Sequence, residues 1–588
     1  MMNQLKIMTG IFGCLLVLIS ACSNMEESAP SSPVGGNNNG GKISLAISTD
    51  KSRYHPGETV EFSIQDDVPS NLKVNYTYLG KLIEEVQIAD KTWTWTAPDE
   101  DFKGYLVEIV DETEEKILAS IGVDVSSDWT KFPRYGFLSK FPEMSETEIA
   151  KIVDRLNRHH INGLQFYDWH YKHHDPLAGT ANSPDPVWRD IINREIYFET
   201  VKKYIEGVHS KGMKAMYYNL IFGALNTAEQ DGVSAEWFLY TDRQHQEKDR
   251  HPLPQPPFVS DIFLVDPSNA QWQEYLAVKN QEVYEALPFD GFHMDQLGNR
   301  NKSLYTYSGN TVDLGSTYKG FIDAMKAKHP QKDIVMNAVN QYSQDGIADA
   351  PTGFLYTEVW GPNDRYRDLA KIIQENDTYS KGEKNSVLAA YMNYDLANQQ
   401  GYFNTPAVLL TDAVIFAFGG AHLELGEHML GKEYFPNDNL QMRTDLKASL
   451  VRYYDFMVAY QNLLRDGGDF NAPAVSGYGQ MSFNTWPPQA GSVAVVGKKV
   501  GTRQVIHLIN FSNASHLNWR DNNGTQSYPQ KSENVRIVIE SNTPIEKVWM
   551  ASPDYLGGSP VSLEFKQQEN QVSITLPSIE FWDMIVLE

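Results

Sequence analysis

From Trp129 to about residue 465, short β-rich runs alternate with stretches of helical apolar spacing, and they do so eight times. No other feature of the chain constrains its fold as tightly. The β-rich runs are RYGFLSKF, INGLQFYDWH, GMKAMYYNLIFG, FDGFHMDQLG, DIVMNAVNQY, GFLYTEVWG, NSVLAAYMNY and DAVIFAFGGAHLELG. After the first comes a capping box, Ser145 with Glu148, and then Ile149, Ile152, Val153 and Leu156 at helical spacing. Residues 187–211 are predicted helical through Val201, Ile205 and Val208, and a further helix is predicted around 270–287. A last one over 442–465 carries Leu446, Leu450, Tyr453 and Met457 on one face. Eight such pairs are the count of a (β/α)8 barrel with enlarged loops.

A chain of 588 residues is longer than one core usually supports, so flanking domains are expected. Residues 43–127 read as short strands, with a Pro-Gly turn in YHPGETVEFSI. Their spacing predicts an immunoglobulin-like β-sandwich, in which Trp93 and Trp95 read as core in preference to a sugar platform. Residues 471–588 return to short strands and predict a C-terminal antiparallel β-sandwich. The fold class is therefore multidomain: a (β/α)8 TIM barrel over 128–470, flanked by two β-sandwiches.

The first residues read as an export signal. Lys6 precedes the apolar run IFGCLLVLIS, and Ile19-Ser20-Ala21-Cys22 resembles a bacterial lipobox. The expectation is a signal peptide over 1–21, lipidation at Cys22 and a flexible tether over 22–42, rich in Ser, Pro, Gly and Asn. Glu26 and Glu27 resemble a surface-export signal, so an outer-membrane lipoprotein of a Gram-negative cell is expected, touching the membrane only through its anchor. Cys14 and Cys22 are the only cysteines, which leaves the body without a disulfide, a thiolate metal site or a cysteine nucleophile. A formal net charge of -25 opposes nucleic acid as a partner.

The chemistry of a barrel sits at the C-terminal ends of its strands. There the sequence offers Tyr167, Asp168, Trp169 and His170 after strand two, then Tyr218 and Asn219 after strand three. Asp295 and Gln296 follow strand four, Asn337 and Asn340 strand five, and Glu358 and Trp360 strand six. Asn393 and Asp395 follow strand seven, and His422 and Glu424 strand eight. Acids, amides and aromatic rings together suit a neutral, polyhydroxylated ligand. Asp295 and Glu358 each end an apolar run abruptly. Either could merely cap the next helix, but two such acids on near-neighbour strands are what glycosidic-bond cleavage requires. Asp295 is the expected ionised nucleophile. Glu358, between Tyr356 and Trp360, is the expected proton donor, because desolvation holds a carboxyl protonated. No Walker or dinucleotide loop, HExxH or GxSxG elbow is present. The His170–Asp175 run lacks a matching ligand cluster and carries Lys172, so neither metal nor cofactor is expected.

The segments YGFLSKF, INGLQFYDWHYKHH, FDGFHMDQLG and FLYTEVWG resemble glycoside hydrolase family 66, the endo-dextranases and cycloisomaltooligosaccharide glucanotransferases. The resemblance covers nearly the whole mature chain. It implies retention of configuration, with Asp295 as nucleophile and Glu358 as acid/base. It also implies α-1,6-glucan (dextran) and isomaltooligosaccharides as partners. Cyclising members carry an extra carbohydrate-binding module near strands seven and eight. Only about 17 residues separate Tyr394 from Asp412, too few for a module of some 100 residues. The expectation is an endo-acting dextranase. A transferase of the same family and a non-catalytic glycan-binding lipoprotein are the alternatives.

Overall fold

The computed structural model describes residues 45–67, 71–479 and 481–588. The signal segment, Cys22 and the tether lie outside the described residues. Eight parallel strands form the central barrel: β1 (Tyr135–Leu138), β2 (Gly163–Phe166), β3 (Lys214–Leu220), β4 (Gly291–Asp295), β5 (Asp333–Val339), β6 (Leu355–Glu358), β7 (Ser386–Ala389) and β8 (Ala421–His422). They pair in chain order from β1 to β8. A backbone hydrogen bond from Phe137 N to Leu425 O, 3.1 Å, reaches across the seam between the first strand and the chain leaving the last. Each strand is followed by at least one helix, from Glu146–Arg158 after β1 to Thr444–Ala459 after β8.

Side chains alternate across each strand, and in this barrel the alternation sorts them cleanly. Tyr135, Phe137, Met216, Val335, Tyr356, Val387, Ala389 and Leu423 fill the interior. Phe166, Tyr217, Phe292, Met294, Met336 and Leu388 face the helices. The helix Glu146–Arg158 opens with the expected capping box and buries Ile149, Val153 and Leu156. Such a cap contributes about 1 kcal/mol.

Two segments differ from the sequence reading. Residues 187–197 are not helical. They form an antiparallel hairpin, Val187–Arg189 with Glu195–Tyr197, and the helix starts only at Phe198. The run DAVIFAF is helix, not strand: Thr405–Ala417 is one helix with all of its residues buried, and β8 is confined to Ala421–His422. This helix lies between the barrel and the C-terminal sheet, with Phe416 facing Trp582 at 6.5 Å. Buried on all sides, it shows no period of 3.6, and a continuous apolar run reads equally as a buried strand.

The N-terminal strands make two antiparallel sheets, one of three strands and one of four, around a common core. Trp93 stacks on Phe62 at 5.0 Å and Trp95 on Tyr76 at 4.6 Å, so both belong to that core. The strands Lys103–Asp111 and Lys116–Val125 lie so close to the last barrel helix that a Cβ at Gly104 would sit 1.9 Å from Val458 O. Arg134 and Asp124, both fully buried, pair at 2.7 Å across the same junction. The C-terminal strands form a seven-stranded and a four-stranded sheet around a third core. Among the described residues no helix is long and apolar enough to cross a membrane.

Candidate active site

At the C-terminal end of the barrel, β4 ends in Asp295 and β6 in Glu358. Both continue the inward phase of their strands, after His293 and Tyr356. Asn337, on β5 between them, holds the two together. Its Nδ2 donates to Asp295 Oδ1 at 2.8 Å and to Glu358 Oε2 at 3.2 Å, and Glu358 N donates to Asn337 Oδ1 at 3.3 Å. One nitrogen at those distances puts the two carboxyl oxygens at most 6.0 Å apart. Each acid also has its own tyrosine. Tyr218 donates to Asp295 Oδ2 at 2.5 Å, and Tyr391 donates to Glu358 Oε1 at 2.7 Å.

The two carboxyls sit in different electrostatic surroundings. Burial pushes Glu358 up to about 7, and the charge of Asp295 pushes the same way, against the bonds from Tyr391 and Asn337. Burial also raises Asp295, but Tyr218, Asn337 and the Gln296 backbone N–H all favour its ionised form. Burial thus raises both carboxyls, and the donors around Asp295 offset its rise while the charge of Asp295 adds to that of Glu358.

Tyr167 and Asp168 join this group. Tyr167 stacks on Phe435 at 4.3 Å and lies against Tyr218 at 4.9 Å. Asp168 adopts a positive φ of 48°, which turns the chain out of strand phase at this point. Burial lifts it to about 7; Arg194 opposes the rise, and the charges of Asp190 and Asp295 add to it. Trp360 stands over Tyr391 at 5.4 Å and Tyr394 at 5.8 Å. Asp395 lies exposed on the rim.

Other expected ligand-binding residues are placed elsewhere. Trp169 is fully buried among Trp188, Tyr217 and Phe289 outside the barrel wall, because the positive φ at Asp168 breaks the alternation that would have kept it in phase with Tyr167. Asn219 also faces outward, donating to His173 O at 2.8 Å and meeting His173 Nδ1 at 2.9 Å, so it pins the loop after β2. His170 is fully buried against His173 at 4.5 Å, and burial holds its ring well below the usual range, hence neutral. Gln296 spans the tops of β4 and β5, donating to Asn337 O at 3.2 Å and accepting from Tyr318 at 3.2 Å. Asn393 follows Tyr391 but has φ of 53°, and its amide donates to Asp521 O at 2.8 Å in the C-terminal domain.

Glu424 is out of phase with Leu423 and points away from the mouth. It meets Asp412 and His422 between β8 and its helices, the one His/acid group of metal-ligand size among the described residues. His422 Nε2 faces Ala390 O at 2.8 Å, which leaves Nδ1 facing Asp412 at 2.8 Å and Glu424 at 3.4 Å. Burial raises Asp412 well above the carboxylate range and Glu424 to about 8. A retained proton therefore supplies the missing donor.

The sequence reading missed Tyr391, His293 and Phe435. Tyr391 was within reach, since it continues the inward phase Val387, Ala389. His293 is buried between Tyr135 and Tyr218, and desolvation lowers it to about 3, so it is a neutral floor beneath Asp295. Phe435 comes from the loop after β8, and nothing local in the sequence marks it.

A sequence model of glycosyl hydrolase family 66 matches residues 49–586. The chain belongs to glycosyl hydrolase family 66. A cycloisomaltooligosaccharide glucanotransferase of Niallia circulans is 28% identical, over 92% of this chain and 72% of its own length. A dextranase of Streptococcus salivarius is 26% identical, over 82% of this chain and 67% of its own. A crystal structure of a Paenibacillus sp. cycloisomaltooligosaccharide glucanotransferase with cycloisomaltoheptaose superposes with a TM-score of 0.84 at 25% identity, covering 93% of this chain and 99% of that one. The family 66 barrel thus presents Asp295, Asn337 and Glu358 as one hydrogen-bonded unit.

Proposed function

We propose that this family 66 enzyme is a retaining endo-dextranase that cleaves α-1,6-glucosidic bonds by double displacement. The observation that carries the reading is the Asn337 bridge. It bounds the carboxyl oxygens at 6.0 Å, nearer the ~5–5.5 Å of retaining pairs than the ~6.5–9.5 Å that leaves room for a water in inverting ones. Asp295 Oδ attacks the anomeric carbon while Glu358 gives its proton to the leaving glycosidic oxygen. The glycosyl–Asp295 ester then yields to water, and Glu358, now ionised, takes the water's proton. Asn337 contacts both partners and holds their spacing as charge moves from one to the other.

Dextran as substrate rests on the dextranase and glucanotransferase relatives. Hydrolysis over cyclisation rests on chain length. The alignment with the N. circulans glucanotransferase runs over 701 positions, more than all 588 residues here, so that relative carries inserted segments that this chain lacks. Glycosyl transfer is the second reading, supported by the 0.84 TM-score to a glucanotransferase. Chromatography of the products from dextran separates the two. Linear isomaltooligosaccharides shorter than the substrate support the dextranase; rings or lengthened chains support transfer. The proposal includes a lipid anchor at Cys22, which is tested by acyl labelling that Cys22→Ser abolishes.

A further inference from the structure

One loop of the C-terminal domain braces two barrel strands at once. Residues 511–531, between the strands Arg503–Asn510 and Ser532–Glu540, lie against the chain that follows β6 and β7. On the β6 side, Trp519 N donates to Asp364 O at 3.1 Å and Trp519 Nε1 to Asn363 O at 2.7 Å. On the β7 side, Leu396 N donates to Asn522 O at 2.8 Å and Asn393 Nδ2 to Asp521 O at 2.8 Å. Arg520 stands where the two sides meet. Its Nη2 donates to Val359 O at 2.7 Å, and its own carbonyl accepts from Asn393 N at 2.7 Å.

The two segments it grips carry the two ends of one hydrogen bond. Val359 follows Glu358, and Asn393 lies two residues beyond Tyr391, whose hydroxyl donates to Glu358 Oε1 at 2.7 Å. The guanidinium also lies over the rings of Trp519 at 4.6 Å, Trp360 at 5.0 Å and Tyr394 at 5.4 Å. Arg520 is 7% exposed, and its Nη1 has no hydrogen-bond partner. Burying a guanidinium in that state is costly. A long apolar side chain would cover the same rings without that cost. What it cannot supply is the bond to Val359 O.

We propose that Arg520 is a positioning residue for the acid/base: held by its backbone to the segment after β7 and by its side chain to the segment after β6, it sets the separation at which Tyr391 donates to Glu358. This rests on the reading of Glu358 as the acid/base of a retaining α-1,6-glucanase. Glu358 becomes a carboxylate as it gives its proton to the leaving oxygen, and an O–H already aimed at it stabilises that charge as it forms. Such a bond acts in the transition state, so the role of Arg520 is in turnover and not in holding substrate. The charged and titratable groups around Glu358 are Asp295, Tyr356, Tyr391 and Glu433. Those around Arg520 are Asp364, Tyr391, Tyr394 and Glu433. Tyr391 belongs to both sets, and it is the one that donates to Glu358.

The test compares wild type, Arg520→Met, Tyr391→Phe and the double variant, each as the full chain, on dextran and on an activated aryl α-isomaltoside. Arg520→Met should lower kcat for dextran about tenfold, with KM within threefold of wild type. For the aryl glycoside, whose leaving group needs no proton, kcat/KM should stay within threefold. The alkaline limb of kcat/KM for dextran should rise by about half a unit, because a loosened Tyr391 bond favours the ionised Glu358 less. In the Tyr391→Phe background the same substitution should move neither kcat nor the limb further. A shift that persists in that background reports the lost charge alone and overturns the proposal. Arg520→Lys keeps the charge but is one atom too short for Val359 O. It should behave as Arg520→Met, decides alone if Arg520→Met does not fold, and overturns the proposal if it retains wild-type kinetics. An equal loss on both substrates, a loss confined to KM, or an unmoved limb in a folded variant overturns the positioning role and leaves the function standing. A wild type that releases nothing from dextran overturns the function, and the role with it.

Discussion

The two tyrosines that donate to Asp295 and Glu358, the proposed nucleophile and proton donor, allow each limb of the pH profile to be moved separately. Tyr391 donates to Glu358 at 2.7 Å and Tyr218 to Asp295 at 2.5 Å. A hydroxyl that donates to a carboxyl favours the ionised form, so removing it raises that carboxyl's pKa. A hydrogen bond to a charged group contributes about 1.5–3 kcal/mol, and water entering the gap restores part of it. A net loss of about 1.4 kcal/mol is one pKa unit. Glu358 must be protonated to donate, and its pKa near 7 sets the alkaline limb of kcat/KM. Tyr391→Phe should therefore carry that limb about one unit upward, so that activity persists to higher pH. Asp295 must be ionised to attack, so Tyr218→Phe should carry the acid limb about one unit upward, and activity is lost sooner on acidification. The two groups are coupled, so the limbs report apparent values of the pair. The assay is kcat/KM for dextran from pH 3 to 10. If Tyr391→Phe moves the acid limb, or moves neither limb by more than about 0.2 unit, the assignment of roles is refuted.

Three other outcomes follow from named contacts. Glu358→Gln should slow dextran cleavage at least ~10²-fold yet be rescued on an activated aryl glycoside by azide, giving a glycosyl azide of retained configuration; rescue of another acid's variant instead would exclude Glu358. Asp124→Ala leaves Arg134 buried and unpaired, and urea unfolding should show a loss of about 3–5 kcal/mol; a loss under 1 kcal/mol would mean that the junction relaxes around the cation. Glu424→Gln should leave KM for dextran within twofold of wild type, because Glu424 faces the helices, and a large rise in KM would return it to the substrate-binding group.

How much of the site was legible follows from strand phase. Tyr167, Tyr218, Asp295, Asn337, Glu358 and Trp360 all continue the inward alternation of their strands, and the structure brings them together at one mouth. Asn219, Gln296 and Glu424 are one residue out of phase, and each lies on the helix-facing side. Choosing polar residues near a strand end without fixing the phase admitted both sets. Asp168 and Asn393 escape the rule because a positive φ at each breaks the alternation; no sequence period contains that turn. The barrel itself was legible because eight strands and their helices repeat one pattern. The helix Thr405–Ala417 was misread because burial on every side erases the period.

Trapping the covalent intermediate tests the central claim most directly. A 5-fluoro isomaltosyl fluoride reacts with the nucleophile of a retaining enzyme and is released slowly. The purified protein, treated, digested and mapped by mass spectrometry, should carry one isomaltosyl group, on the peptide that contains Asp295. Label on another carboxylate, or no label from an enzyme that cleaves dextran with inversion, would contradict the account.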